Sequence, residues 1–229
     1  IILILVAVVA IPAANHYNHV ASENATATFE ASDATATATA LQSLYDNSTS
    51  GTPVLNDSLS SNSGNAWNEN NNCSFTGGAY HITASQQGYL NFCVAASAST
   101  FSNFAYQVQM TVVSGDKEAI LFRTSYVNSS WNYYLFYVDQ NGTFGFAIGG
   151  NGHYTSEYND SSSAIHTGTN QSNLVAVVAQ GSTLTFYVNK EFVWQTTNTT
   201  YSQGTIGVGA LDTSNSTEVA CSNAQVWTV

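Results

Sequence analysis

Charge is what this chain has least of. Only 7% of its 229 residues are charged, with 3 Lys and Arg against 14 Asp and Glu. A net charge of -11 without a basic cluster excludes nucleic acid as a partner, because phosphate binding takes Lys or Arg in numbers. It equally excludes electrostatic adhesion to anionic lipid. Solubility therefore rests on Asn, Ser and Thr, and these make ten Asn-x-Ser/Thr triplets, at Asn24, Asn47, Asn56, Asn72, Asn128, Asn141, Asn159, Asn170, Asn198 and Asn215. Each is a candidate glycosylation position, and the surface they imply is polar, uncharged and extracellular in character.

Cysteine is also scarce. The 3 Cys and 5 His form no C-x-x-C or Cys/His ligand spacing, so neither a metal nor a cofactor is expected. Cys73 and Cys93 flank FTGGAYHITASQQGYLNF, which reads as two strands joined by a turn. A disulfide closing that loop is expected to contribute roughly 3 kcal/mol. Cys221 is left over in VACSNAQVW, where alternation puts it on the side of Val219, as a buried free thiol.

The first fifth of the chain is an arm. It opens IILILVAVVAIPAA, an uncharged apolar run from Ile1 to Ala14, and continues into the Ala/Thr-rich VASENATATFEASDATATATALQSL. Ala favours helix and no breaker follows Pro12 until about Leu44, so one helix of about 66 Å is expected at 1.5 Å per residue, with a flexible stalk as the alternative and the favoured one for an isolated chain. Ile and Val dominate the first eleven positions, so a β-strand donated to a neighbour's sheet is the alternative there. Fourteen apolar residues fall short of the ~20 that span hydrocarbon. The terminus resembles that of a processed type IV pilin, although Leu5 stands where bacterial members usually carry Glu, which points to the archaeal-like variety or to an unrelated filament. That resemblance implies self-assembly through Ile1, Ile2, Leu3, Ile4, Leu5, Val6, Val8, Val9 and Ile11, with membrane residence before assembly.

Past Gly51 the pattern changes to period two. Eleven short β-rich runs, from AYHIT to the closing EVACSNAQVWTV, are separated by Asn, Gly, Ser and Asp clusters, and DQNGT, AQGST and VNKE read as hairpin turns. The expectation is a mainly β fold: a two-sheet antiparallel sandwich at 51–229, preceded by the long helix and stalk at 1–50. The segments FSNFAYQVQMTVVSGDKEAILFR, YYLFYVDQNGTFGF, NLVAVVAQGSTLTFYVNKEFV and QGTIGVGALDTSNSTEVACSNAQVWTV, in that order, resemble the concanavalin A-like lectin/glucanase superfamily in its laminin-G-like branch. The resemblance covers roughly 54–229 and implies a jelly roll whose concave face holds carbohydrate in many members.

Chemistry is harder to find. Glycoside hydrolysis takes two carboxylates flanking the bond, and glucanases of this superfamily carry them as E-x-D-x-E on one strand face, a run that is absent here. Asp116 and Glu118, in the SGDKEA turn, are the nearest imitation and read as solvated turn carboxylates. Laminin-G-like members often hold calcium at the rim, where Asp116, Asp139 and Asp212 could contribute, but the favoured reading of the three is ordinary turn aspartates. Trp67, Trp131, Trp194 and Trp227, with Tyr133, Tyr134 and Tyr137, are enough rings to fill a core and leave some exposed, and Trp131 is the candidate sugar contact. The expected function is a structural subunit of an extracellular pilus-like filament, a homopolymer without enzymatic activity. The alternative is a membrane-anchored, cell-surface, lectin-like module that binds glycans.

Overall fold

The computed structural model describes residues 36–62 and 64–229. Of the long N-terminal helix expected from the sequence, it supports only residues 36–48, here α1. The assembly residues Ile1 to Ile11, and Asn24, lie outside the described residues. Among the described residues no helix is long and apolar enough to cross a membrane. The chain divides into two units, Ile1–Ser43 and Leu44–Val229, and every strand among the described residues belongs to the second.

There are fourteen of them: β1 Leu55–Asp57, β2 Cys73–Thr76, β3 Ala79–Ala84, β4 Leu90–Val94, β5 Phe104–Ser114, β6 Lys117–Val127, β7 Ser130–Asp139, β8 Thr143–Gly150, β9 His153–Ser161, β10 Ser172–Gln180, β11 Thr183–Val188, β12 Glu191–Thr197, β13 Thr205–Leu211 and β14 Thr217–Thr228. Every pairing is antiparallel, and the strands make two sheets. One runs β12-β11-β10-β5-β14-β3-β2, with β1 added to β14, and the other runs β4-β13-β6-β7-β8-β9. The three turns read as hairpins are hairpins, joining β7 to β8, β10 to β11 and β11 to β12.

Alternation along each strand builds the sandwich. In β5, Phe104, Tyr106, Val108 and Met110 point into the space between the sheets, while Gln107, Gln109 and Thr111 face out. Phe122, Phe136, Phe146 and Phe186 meet them from other strands, and Phe136 stacks on Phe186 at 4.5 Å. At one open side, Tyr158 of β9 stacks on Trp194 of β12 at 4.2 Å, so two edge strands are tied by their rings.

The run between Cys73 and Cys93 departs from expectation. It is not one hairpin: β3 pairs with β2 and β14, whereas β4 pairs with β13 in the other sheet. The actual hairpin is β2–β3, turned at Gly77 and Gly78, both in the left-handed region. The Cys73–Cys93 disulfide is therefore a bond between sheets, with its Cα atoms 6.6 Å apart. Cys221 is buried and free.

Candidate functional site

The outer face of the six-stranded sheet carries a cluster that a solvent-facing side does not need. Alternation turns Trp131, Tyr133, Leu135, Tyr137 and Asp139 of β7 outward, since Tyr134, Phe136 and Val138 fill the core. Opposite them on β8 stand Gly149, Ala147 and Gly145. A Cβ at Gly149 would overlap the Tyr133 ring, and one at Gly145 the Tyr137 ring, so both rings lie flat on the backbone of β8. On the other flank Ala119 of β6 and Gly207 and Gly209 of β13 keep the floor low. Although β13 and β6 separate β4 from β7, the Phe92 ring reaches Trp131 at 5.5 Å and Tyr133 at 5.2 Å. Tyr126 lies 5.1 Å from Trp131 and is 60% exposed.

The rings differ in access. Phe92, Trp131 and Tyr154 are half-buried, while Tyr133 and Tyr137 are nearly covered. Burial, with the neighbouring Tyr154 and Tyr201, pushes the Tyr133 phenol up to about 12, so it stays a neutral hydrogen-bonding group at physiological pH. The Tyr137 hydroxyl donates to Asn159 Oδ1. Lys117 sits 4.9 Å over the Tyr137 ring and 3.7 Å from Asp139 Oδ2, so the cation on this face is already engaged. Of the four tryptophans, Trp131 belongs to this cluster; Trp67 is core, Trp194 packs at the sandwich edge and Trp227 lies on the other sheet's outer face.

The SGDKEA carboxylates are not solvated, which corrects the sequence expectation. Asp116 is 7% exposed and Glu118 is 0% exposed. Burial alone would raise the Asp116 pKa, but N–H groups of Ser214, Asn215 and Thr213 and the Asn215 amide converge on it and hold it well below the usual carboxylate range. It is an anchor for the 213–215 loop. Glu118 points the other way, into the core with Ile120 and Phe122, and neither of its oxygens has a hydrogen-bond partner. Burial pushes its pKa up to about 8, so it is a neutral acid at pH 7. Asp116 and Glu118 thus share no cleft. Asp139 is held by Lys117 and accepts the Asn141 N–H at 3.0 Å, and Asp212 is buried just before the 213–215 loop that Asp116 anchors. Among the described residues no group of three or more His, Cys, Asp or Glu gathers.

Sequence reasoning passed over Arg123. It is buried, with φ of 48°, at a bulge where β6 pairs with β7. Its guanidinium donates to the carbonyls of Ser102 at 2.7 Å, Gly181 at 2.7 Å and Tyr201 at 2.9 Å, pinning three loops at the Trp131 end of the sandwich. Its signal was rarity, as one of 3 basic residues placed inside an apolar strand.

No protein-family model matches the chain, and no curated protein matches it. Solved structures do. A carbohydrate binding module, CBM66 from Bacillus subtilis, is similar with a TM-score of 0.60 at 18% identity, over 71% of this chain and 95% of that one. A Bacillus subtilis protein of unknown function with a galectin-like fold gives 0.61 at 11% identity, over 78% and 96%. A Bacillus licheniformis β-glucanase gives 0.52 at 13%, over 79% and 100%. At such identities the likeness is one of fold: a jelly-roll sandwich, in keeping with the concanavalin A-like resemblance. None of the three is a pilin, and the filament expectation gains no support from them.

Proposed function

We propose that Leu44–Val229 is a carbohydrate-binding module that acts outside the cell and takes its ligand on the outer face of the six-stranded sheet. The observation that carries the reading is the half-exposed ring row of Tyr126, Trp131 and Phe92 over a floor of Gly and Ala. Sugar rings present C–H faces that stack on such rings, and rigid aromatic anchors give contact area at low entropic cost. The inter-sheet disulfide suits an oxidising compartment.

The ligand is a neutral glycan. Lys117 is committed to Asp139 and Tyr137, Arg123 to three carbonyls, and Lys190 stands at the β11–β12 turn of the other sheet. No cation is left for a uronate or sulfate, and a net charge of -11 repels both. The reading is binding without catalysis. Hydrolysis takes two carboxylates about 5–10 Å apart, and the outward positions of β7 hold Asp139 as their one acid. Titrating the full-length chain against panels of neutral and acidic polysaccharides tests the proposal. Saturable binding confined to neutral glycans is expected; binding of none, or release of reducing sugar, overturns it.

A further inference from the structure

Nine of the ten Asn-x-Ser/Thr triplets fall within the described residues, and folding treats them differently. Three have their asparagine bonded to residues outside the triplet, Asn215 and Asn159 through the amide nitrogen and Asn198 through its oxygen, which Tyr134 holds. The Asn215 amide donates to Asp116 Oδ1 at 3.1 Å and to Ser214 Oγ at 3.0 Å. Asn159 donates to Ser156 Oγ at 2.9 Å while its Oδ1 accepts the Tyr137 hydroxyl. Asn198 Oδ1 accepts the Tyr134 hydroxyl at 2.7 Å and the Thr200 N–H at 2.9 Å.

Others have lost the hydroxyl that completes the triplet. Ser130 Oγ, serving Asn128, is buried without a partner. Ser172 Oγ, serving Asn170, accepts from Gln109 and donates to the Met110 carbonyl. Thr49, serving Asn47, donates to the Tyr45 carbonyl at the end of α1. Ser58, serving Asn56, is paired with Ser60. In the Asn72 triplet the middle residue, Cys73, is locked in the disulfide.

Asn141 is arranged the opposite way. It is exposed on the β7–β8 turn, and its Oδ1 accepts both the Thr143 N–H at 3.0 Å and the Thr143 hydroxyl at 2.8 Å. With the oxygen held inward against its own turn, Nδ2 faces solvent, and among the described residues nothing bonds it. Amide and triplet hydroxyl are side by side on an exposed turn.

We propose that Asn141 is a glycan acceptor. Nδ2 attacks C1 of a sugar carried as a lipid-linked diphosphate, the C1–Nδ2 bond forms as the C1–O bond breaks, the lipid diphosphate leaves, and Nδ2 gives up one proton. Trp131 and Asp139 stand eight residues apart on β7, about 26 Å at 3.3 Å per residue, so a glycan at Asn141 leaves the Trp131 end of the ring row open. It also supplies hydration to a chain with 7% charged residues. The same bond at Asn215 would strip a donor from buried Asp116, which is incompatible with the folded loop.

Peptide mass spectrometry of the chain isolated from its own organism tests this, together with three variants expressed there. Asn141→Asp keeps the Oδ1 acceptor and the turn but has no amide nitrogen; Thr143→Val removes the hydroxyl; Thr143→Ser keeps it. Expected are a hexose-type mass on the Asn141 peptide of the natural chain and of Thr143→Ser, its loss in Asn141→Asp and Thr143→Val, a bare Asn215 peptide, and unchanged thermal unfolding for Asn141→Asp beyond the loss of the glycan. A bare Asn141 in the natural chain overturns the proposal, as does a glycan that survives Thr143→Val or one found on Asn215 in the folded fraction.

Discussion

The two outer faces of the sandwich start from the same alternation and end up as opposites. On the six-stranded sheet the outward positions carry Phe92, Trp131, Tyr133 and Tyr137 over Gly and Ala, left partly open. On the eight-stranded sheet they carry amides and hydroxyls: the Tyr45 hydroxyl donates to Gln107 Oε1, Gln107 to Gln225, and Gln225 to Asn56, a relay across β5, β14 and β1. Where that face is apolar, at Ala105, Ala176, Val178, Tyr187 and Trp227, it is already covered by Leu44 and Tyr45 of α1. A half-exposed ring cluster means more when the other side of the same fold has disposed of its own. One face is finished internally, and the other is left partly open, as the proposed glycan-binding surface requires.

The largest expected effect comes from between the faces. Glu118 ionises near 4.5 in the unfolded chain and near about 8 when folded, so between those values the folded state holds one more proton than the unfolded. Stability therefore falls as pH rises from about 4.5 to about 8, by up to about 1.4 kcal/mol per unit and on the order of 5 kcal/mol in total. Urea unfolding of Glu118→Gln should lose that slope and leave the variant more stable than the natural chain at pH 8, with glycan affinity unchanged. Parallel pH curves for the two proteins would show that Glu118 is not the buried neutral acid described.

Tyr45→Ala comes next and tests the covered face. Removing a buried ring that touches Tyr187 at 5.0 Å should cost about 3–4 kcal/mol. Affinity for the glycan should not move, because Tyr45 lies on the opposite sheet. If affinity fell with stability, the two faces would be coupled and the comparison between them would break.

Replacing Cys73 and Cys93 together with Ser removes the covalent link between the sheets, at roughly 3 kcal/mol. In a domain of this size that corresponds to a Tm lower by about 6–12 °C. A change under about 2 °C by calorimetry would mean that the rings and strands hold the sheets together unaided.

The smallest expected change in free energy is the most telling one. Trp131→Ala should weaken glycan binding about tenfold, ~1.4 kcal/mol, while moving Tm less than Tyr45→Ala does, since the ring is half-exposed on the outer-face cluster, with Phe92 and Tyr126 as its ring neighbours. The reverse outcome, intact affinity with a large loss of Tm, would make the ring row a structural cluster and nothing more.

Period-two alternation was strong enough in the sequence to reveal eleven strands, the three hairpin turns and the sandwich class. Three strands escaped it for physical reasons. Leu55–Asp57 is too short to show a period, Cys73–Thr76 merges into a Gly-Gly turn, and His153–Ser161 is an edge strand with almost no buried side to mark it. Of the candidate site, Trp131 was visible because it follows a polar turn. Phe92 and Tyr154 were not, because only the sheet order brings them to it.

By itself, then, the sequence determined what depends on neighbours along the chain: alternation, turn chemistry, the triplets, the shortage of charge. The tertiary structure alone decided what depends on which strands become neighbours in space. It made Cys73–Cys93 a bond between sheets, sent Glu118 into the core and Asp116 into a ring of donors, and left the Asn141 oxygen on its own triplet's Thr143 while the Asn215 amide was tied to Asp116. A side chain's face is set locally by the pleat, but whether that face meets core, helix or solvent is set by the crossing of the chain between two sheets.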